Sequence, residues 1–142
     1  LTATNQGTLS FLNQHNGEII WQTQLEQLLF SAPKISKDRI FAVDHQGGIH
    51  IINVADGTTV QQLSVAAPVQ ANITLWQDQL LIADGHGKLH QISHDGQLLM
   101  KQRAVKADEF VQAPWVGDLE LDGEIDIISI ALNGTLTRYI AQ

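Results

Sequence analysis

A single period dominates this chain. Glycines at 7, 47, 87 and 134 each open a short apolar run: Gly7-Thr8-Leu9-Ser10-Phe11-Leu12, Gly48-Ile49-His50-Ile51-Ile52 after Gly47, Gly87-Lys88-Leu89-His90-Gln91-Ile92, and Gly134-Thr135-Leu136-Thr137-Arg138-Tyr139. They step by 40, 40 and 47 residues. The first three runs are followed by Asn16-Gly17, Asp56-Gly57 and Asp95-Gly96. Gly after Asn or Asp supplies the positive φ of a tight hairpin turn, and Val, Ile and Phe suit a pleated, buried surface. A fixed period near 40 with several strands per unit indicates a propeller blade.

The remaining runs keep this register. Ile40 to Val43 matches Leu80 to Ala83, each ending in an aspartate (Asp44, Asp84), and Asp38 and Asp78 occupy the same turn. Ser31-Ala32-Pro33 matches Ala113-Pro114, and proline suits a strand start where no ladder donor is needed. Ala67-Pro68 lies out of register and is not a copy. The pattern predicts about thirteen strands and no helix, near 8–12, 18–22, 33–36, 39–44, 48–54, 58–64, 71–76, 79–84, 88–92, 97–102, 111–116, 125–131 and 135–140. Most are apolar on both faces, as expected for stacked sheets. The fold class is all-β, one partial propeller domain over residues 1–142. Two whole blades lie near 31–64 and 71–103, with partial blades at both ends. Two whole and two partial blades do not close a ring, so the expectation is a piece of a larger propeller, or open edges covered by another chain. The start at Leu1 rather than Met agrees with a processed or excised piece.

The repeat resembles the quinoprotein-type (PQQ-like) β-propeller family. The residues that carry the resemblance are Gly7-Thr8-Leu9, then Asn16-Gly17-Glu18-Ile19-Ile20-Trp21, then Ser31-Ala32-Pro33. The resemblance implies that the strand after Ala32-Pro33 is innermost in its blade and the Trp21 strand outermost. It speaks for fold more than for activity, since most modules with this repeat bind no quinone.

One stretch breaks the repeat. Pro33 and Gly47 are 14 apart, whereas Pro114 and Gly134 are 20 apart, so 20 − 14 = 6 extra residues enter the hairpin joining the first two strands of the last blade. They fall in Gly117-Asp118-Leu119-Glu120-Leu121-Asp122-Gly123-Glu124-Ile125-Asp126. Counting Asp118 as position 1, carboxylates stand at 1, 3, 5 and 9, glycine at 6, and the Glu124 carbonyl at 7. Alternate oxygen ligands around a glycine turn are what a calcium ion needs, and Ca²⁺ is the cofactor this spacing could hold, through Asp118, Glu120, Asp122, Glu124 and Asp126. An EF-hand is excluded, because its twelfth position would be Ser129 and no helices flank the loop. The spacing is similar to the calcium loop of FG-GAP propellers such as integrin α chains, except that Glu120 stands where that pattern prefers Asp or Asn. The other reading is a solvated acidic hairpin. Against it, five carboxylates in nine residues, with no Lys or Arg among them, repel each other.

Composition narrows the function. Eight Lys and Arg against 15 Asp and Glu give −7, which argues against nucleic acid or an anionic membrane surface. The absence of cysteine excludes disulfides, thiolate metal sites and cysteine nucleophiles. His86, His90 and His94 read as surface histidines. His50 and His90 take equivalent positions, which leaves a shared transition-metal site as a minor alternative. Trp21, Trp76 and Trp115 read as packing between blades rather than a cofactor stack, and no cluster of basic residues is present to serve a bound quinone. No Gly-x-Ser-x-Gly elbow or phosphate-cradling loop occurs. The expectation is therefore a non-catalytic binding or assembly module whose partner is protein: the rest of its own chain or a second copy. The calcium-type loop and the family resemblance imply a periplasmic or extracellular location. The alternative is a fragment of a PQQ-dependent quinoprotein dehydrogenase.

Overall fold

A computed structural model describes residues 1–103 and 109–140. Among the described residues there are fourteen strands and no helix. They form four antiparallel sheets in chain order. The first holds β1 (Thr2–Ala3), β2 (Thr8–Leu12) and β3 (Ile19–Gln24). The second holds β4 (Lys34–Ser36), β5 (Arg39–Val43), β6 (Gly48–Asn53) and β7 (Thr59–Ser64). The third holds β8 (Thr74–Trp76), β9 (Gln79–Ala83), β10 (Lys88–Ile92) and β11 (Leu98–Arg103). The fourth holds β12 (Trp115–Gly117), β13 (Asp126–Ile130) and β14 (Leu136–Ile140). Each sheet is a meander in which sequence neighbours pair. The chain is thus a propeller segment with two full blades and a partial one at each end.

Thirteen expected strands are present within a few residues, and β1 is the addition. It pairs with β2 through Thr2↔Ser10 and Ala3↔Leu9, the place that β5 takes against β6. Among the described residues, the first sheet therefore has no counterpart of the innermost strand and the fourth none of the outermost. The innermost strands are shorter than expected, three residues each. The segments before them are held by side chains across sheets instead of by a ladder. The amide of Ile73 donates to Ser31 Oγ at 3.1 Å, and Thr74 Oγ1 donates to the Pro114 carbonyl at 2.6 Å.

Three apolar clusters lie between successive sheets, each built from the forward face of one sheet and the rear face of the next. Leu9 and Trp21 meet Ile40, Ala42 and Ile52. Phe41, Val43, Ile49 and Ile51 meet Leu80, Ile82 and Ile92. Leu81, Ala83 and Leu89 meet Ile127 and Tyr139. The second and third strands of the full blades are accordingly buried on both faces, which explains their unbroken apolar runs. The outermost strands β3 and β7 alternate between half-buried and exposed, which corrects the expectation of burial on both faces there. Each outermost strand also carries a bulge at the same place, opposite Phe11/Leu12, Ile51/Ile52 and Gln91/Ile92.

Two glycines show why the repeat keeps them. Gly47 has φ +86° and an added Cβ would lie 2.1 Å from the Ala67 carbonyl oxygen. Gly57 has φ +73° and a Cβ there would strike the Trp21 ring at 2.5 Å. Trp21 also donates its Nε1 hydrogen to the Val54 carbonyl at 2.8 Å, so this tryptophan joins the first sheet to the second.

Candidate functional site

The two full blades each bury a polar relay. Asp44 follows β5; its Oδ1 accepts the amides of Gln46 and Gly48, both at 2.9 Å, and its Oδ2 lies 2.9 Å from His50 Nε2 on β6. His50 Nδ1 lies 2.9 Å from Gln62 Nε2 on β7. One neutral tautomer satisfies the chain: Gln62 donates to Nδ1, and Nε2–H donates to Asp44. Asp84 repeats the arrangement, accepting the amides of His86 at 2.8 Å and Lys88 at 2.9 Å and sitting 2.7 Å from His90 Nε2. Burial opposes ionisation of Asp84, but the bonds from His90 and the two amides outweigh it and hold its carboxyl below the usual range. The first sheet carries a neutral version: Thr4 Oγ1 accepts the Thr8 amide at 3.1 Å, and Gln22 Nε2 donates to Ser10 Oγ at 2.8 Å. In the fourth sheet, the register puts Ala131 and Thr137 at these positions.

This corrects the reading of His90 as a surface residue: it is 1% exposed. His50 is buried as well, and both rings are committed to aspartates within their own blades. His86 is exposed, and His94 is half-buried with Nε2 3.1 Å from Asp38 Oδ1. The signal for the relay was present as Asp44…His50 and Asp84…His90, six apart in both repeats. Strand register, which places each pair on one face, is what joins them. A cleft of about 410 Å³ lies over the first of these relays, walled by Glu26, Gln27 and Ser64.

The six-residue insertion occupies its expected place. The turns joining innermost and second strands are residues 37–38 and 77–78 in the full blades and 118–125 in the fourth sheet. The five carboxylates divide into two groups. Asp118 accepts the amides of Asp122 at 3.1 Å and Gly123 at 2.8 Å, and Asp122 accepts the Glu124 amide at 2.9 Å. Asp126 is fully buried; it accepts the Leu119 amide at 3.1 Å and meets Arg138 Nε at 2.5 Å. Arg138 Nη1 also lies 2.9 Å from Glu120. The structure thus brings Glu120 and Asp126 together on one guanidinium, folds Asp118 and Asp122 onto loop amides, and leaves Glu124 exposed. Among the described residues, no three acid or imidazole side chains converge to hold a metal ion. The Arg138 hydrogen bond, with the Leu119 amide, outweighs burial and holds the Asp126 carboxyl below its usual range. A counter-charge for the acidic hairpin thus comes from β14, 12 residues beyond Asp126, where inspection of the hairpin alone does not find it.

The open surfaces are the third feature. Beside the free edge of β1, a cavity of about 490 Å³ is lined by Leu1, Thr2, Ala3, Phe30, Pro33 and Ile35. On the fourth sheet, the forward face carries Trp115, Ile128, Ile130 and Leu136, with no further sheet against it among the described residues. Trp21 and Trp76 pack between sheets as expected; Trp115 does not, and is 49% exposed.

The family model described as outer membrane protein assembly factor BamB matches residues 1–69. Outer membrane protein assembly factor BamB of Yersinia pestis is 26% identical over 122 residues, which is 81% of this chain and 29% of that protein. The factor of the same name from Salmonella typhimurium is 26% identical over 116 residues, again 29% of its length. The chain therefore spans less than a third of the curated relatives it matches. Among solved structures, BamB from Moraxella catarrhalis superposes with a TM-score of 0.73 at 19% identity, covering 96% of this chain and 47% of that one. The computationally designed Ika4 protein superposes with a TM-score of 0.80 at 14% identity, covering 99% and 83%. At these identities the structural likeness speaks for fold. Together with the 40-residue repeat and the stacked meanders, these matches make the chain a segment of a β-propeller built of PQQ-like repeats.

Proposed function

We propose that this chain is a protein-binding module of the bacterial cell envelope, facing the periplasm and serving the assembly of outer membrane proteins. The observation that carries the reading is the match of residues 1–69 to the BamB assembly-factor family model. The architecture supports it. The buried ionisable groups of the full blades are spent on one another, Asp44 on His50 and Asp84 on His90, so they serve the fold. The features left outward are sheet edges and exposed apolar side chains, the means by which a scaffold holds polypeptides. The test is photocrosslinking in the periplasm of a Gram-negative bacterium, from probes at Phe30, Ile35 and Trp115. Crosslinks to outer membrane assembly components or to their client proteins are expected. A folded, exported chain that crosslinks to neither would overturn the reading.

Calcium at the acidic hairpin is a separate proposal. An ion held by Asp118, Glu120, Asp122, Glu124 and Asp126 has to compete with Arg138 for Glu120 and Asp126. The positive φ of Leu121 (58°) and Gly123 (88°) gives the loop the tight wrap such an ion requires. Thermal melts after chelator treatment, with and without millimolar calcium, test it. A calcium-dependent rise that Asp122→Ala removes supports the ion; no rise assigns the hairpin to Arg138 alone.

A further inference from the structure

The first two junctions between sheets share one construction and differ at a telling residue. Where the first sheet meets the second, Trp21 packs against a cluster that contains Leu9, Leu25 and Ile52, and its ring lies against Gly57. Register and turn bonds give each of these a counterpart one blade later. Leu9, paired with Thr23, corresponds to Ile49, paired with Leu63. The Leu25 amide donates to the Gly7 carbonyl, as the Val65 amide donates to that of Gly47. Ile52 corresponds to Ile92, and Gly57 to Gly96. Trp21, opposite Phe11, corresponds to Gln61, opposite Ile51.

The smaller side chain leaves space. Gln61 Oε1 lies against Gly96 as the indole lies against Gly57. Yet a cavity of about 150 Å³ remains, walled by Ile49, Leu63 and Val65 on one side and Ile92, Gly96 and Leu98 on the other. Ile49, Val65 and Ile92 are the counterparts of the very residues that Trp21 packs against. Ser64 and His90 also border the cavity; Ser64 Oγ accepts the Ala66 amide at 3.0 Å and His90 Nε2 is held by Asp84, so both have partners within the chain. An aliphatic cavity of about 150 Å³ stays dry and takes a benzene ring.

The mouth lies between β7 and β11, the outermost strands of the two complete blades, where sheets stacked onto either end of the array do not reach. Apolar surface continues around it. Leu98 at the mouth is 56% exposed, and Val60 and Leu99, at matching places on β7 and β11, are 50% and 49% exposed. An occupant that covers these as well is larger than a single ring. We infer that the cavity is a docking pocket for one phenylalanine side chain of a partner polypeptide, which takes at the second junction the place that the chain's own Trp21 takes at the first. This occupant deepens the protein-binding reading and rests on it.

Methyl NMR of the full chain tests it, with a short capped peptide that holds one phenylalanine among serines and glycines, added to millimolar concentration. Saturable shifts of the Ile49, Val65, Ile92 and Leu98 methyls are expected, with intermolecular NOEs from the phenyl protons. The same peptide with alanine in place of phenylalanine is expected to give neither. Gln61→Trp supplies a ring from within, so its folded chain is expected to lose the peptide signals. Leu98→Asp charges the mouth at an exposed position and is expected to lose them too, which keeps the test open should the tryptophan variant fail to fold. No shift with the phenylalanine peptide overturns the inference, as does undiminished binding by either folded variant. Toluene that shifts these methyls where the peptide does not also overturns it, since that reports a cavity closed to polypeptides. The assay sees this pocket alone, so its failure leaves the crosslinks from Phe30, Ile35 and Trp115 to be judged separately.

Discussion

The second and fourth sheets share one register and differ in almost everything that register carries. In the second, Phe41, Val43, Ile49 and Ile51 are covered by the third sheet, and the relay buries Asp44 and His50 and ends at Gln62 on the surface. In the fourth, Ile128, Ile130 and Leu136 look outward, Ala131 and Thr137 replace the relay, and Arg138 stands where Ile51 stands, paired with Asp126. The strand ladder is thus the constant of the repeat, and the side chains record what lies on either side. A buried aspartate is kept where a histidine and two amides satisfy it; one near an open face is kept by a guanidinium that water also reaches.

Mutations can break this comparison. The largest expected contrast is between Phe41→Ala and Ile130→Ala. The first removes a fully buried ring between two sheets and should cost about 3–5 kcal/mol, the second less than about 1 kcal/mol. Urea denaturation of both variants measures it, and equal losses would mean that the fourth sheet's forward face is covered in solution. Next is Asp84→Ala, which leaves the buried His90 ring and the Lys88 amide without their acceptor. A loss of about 3 kcal/mol is expected.

The same aspartate sets an acid limit. Its folded value lies below the ordinary 3.8, so it contributes stability above about pH 4 that is lost as pH falls through the folded value. Asp84→Asn should flatten that acid limb in a pH-dependent melt, and an unaltered limb would assign it to other carboxylates. Arg138→Gln sharpens the contrast from the fourth sheet. It removes the group that lowers the Asp126 carboxyl, so the variant should melt earlier at neutral pH and lose that deficit as acid protonates Asp126. The smallest effect is expected at Leu121→Gly. Leu121 is exposed at φ 58°, where glycine is unstrained, so the change should shift stability by no more than about 1 kcal/mol.

Most of the architecture could be read before any coordinates, because glycine turns and two-faced apolar runs are local. What could not be read was set by contacts between distant residues. β1 is two exposed residues, Thr2 and Ala3, with no apolar pattern; only its pairing with Ser10 and Leu9 makes it a strand. Asp44 with His50, and Asp84 with His90, were visible as repeats but not as bonded pairs, since only register decides which side chains share a face. Arg138 was legible as a strand residue, but its place over Asp126 and Glu120 depends on the fourth sheet's ladder. The insertion at 118–125 was located correctly, because a count of residues between fixed landmarks needs no tertiary information.

The bulge shared by β3, β7 and β11 has a consequence for how such chains can grow. A strand with an extra residue at the same point in three successive sheets presents a broken hydrogen-bonding template along its outer side. Lateral recruitment of further strands, the route that leads to fibres, is disfavoured along the outer edges of those three sheets.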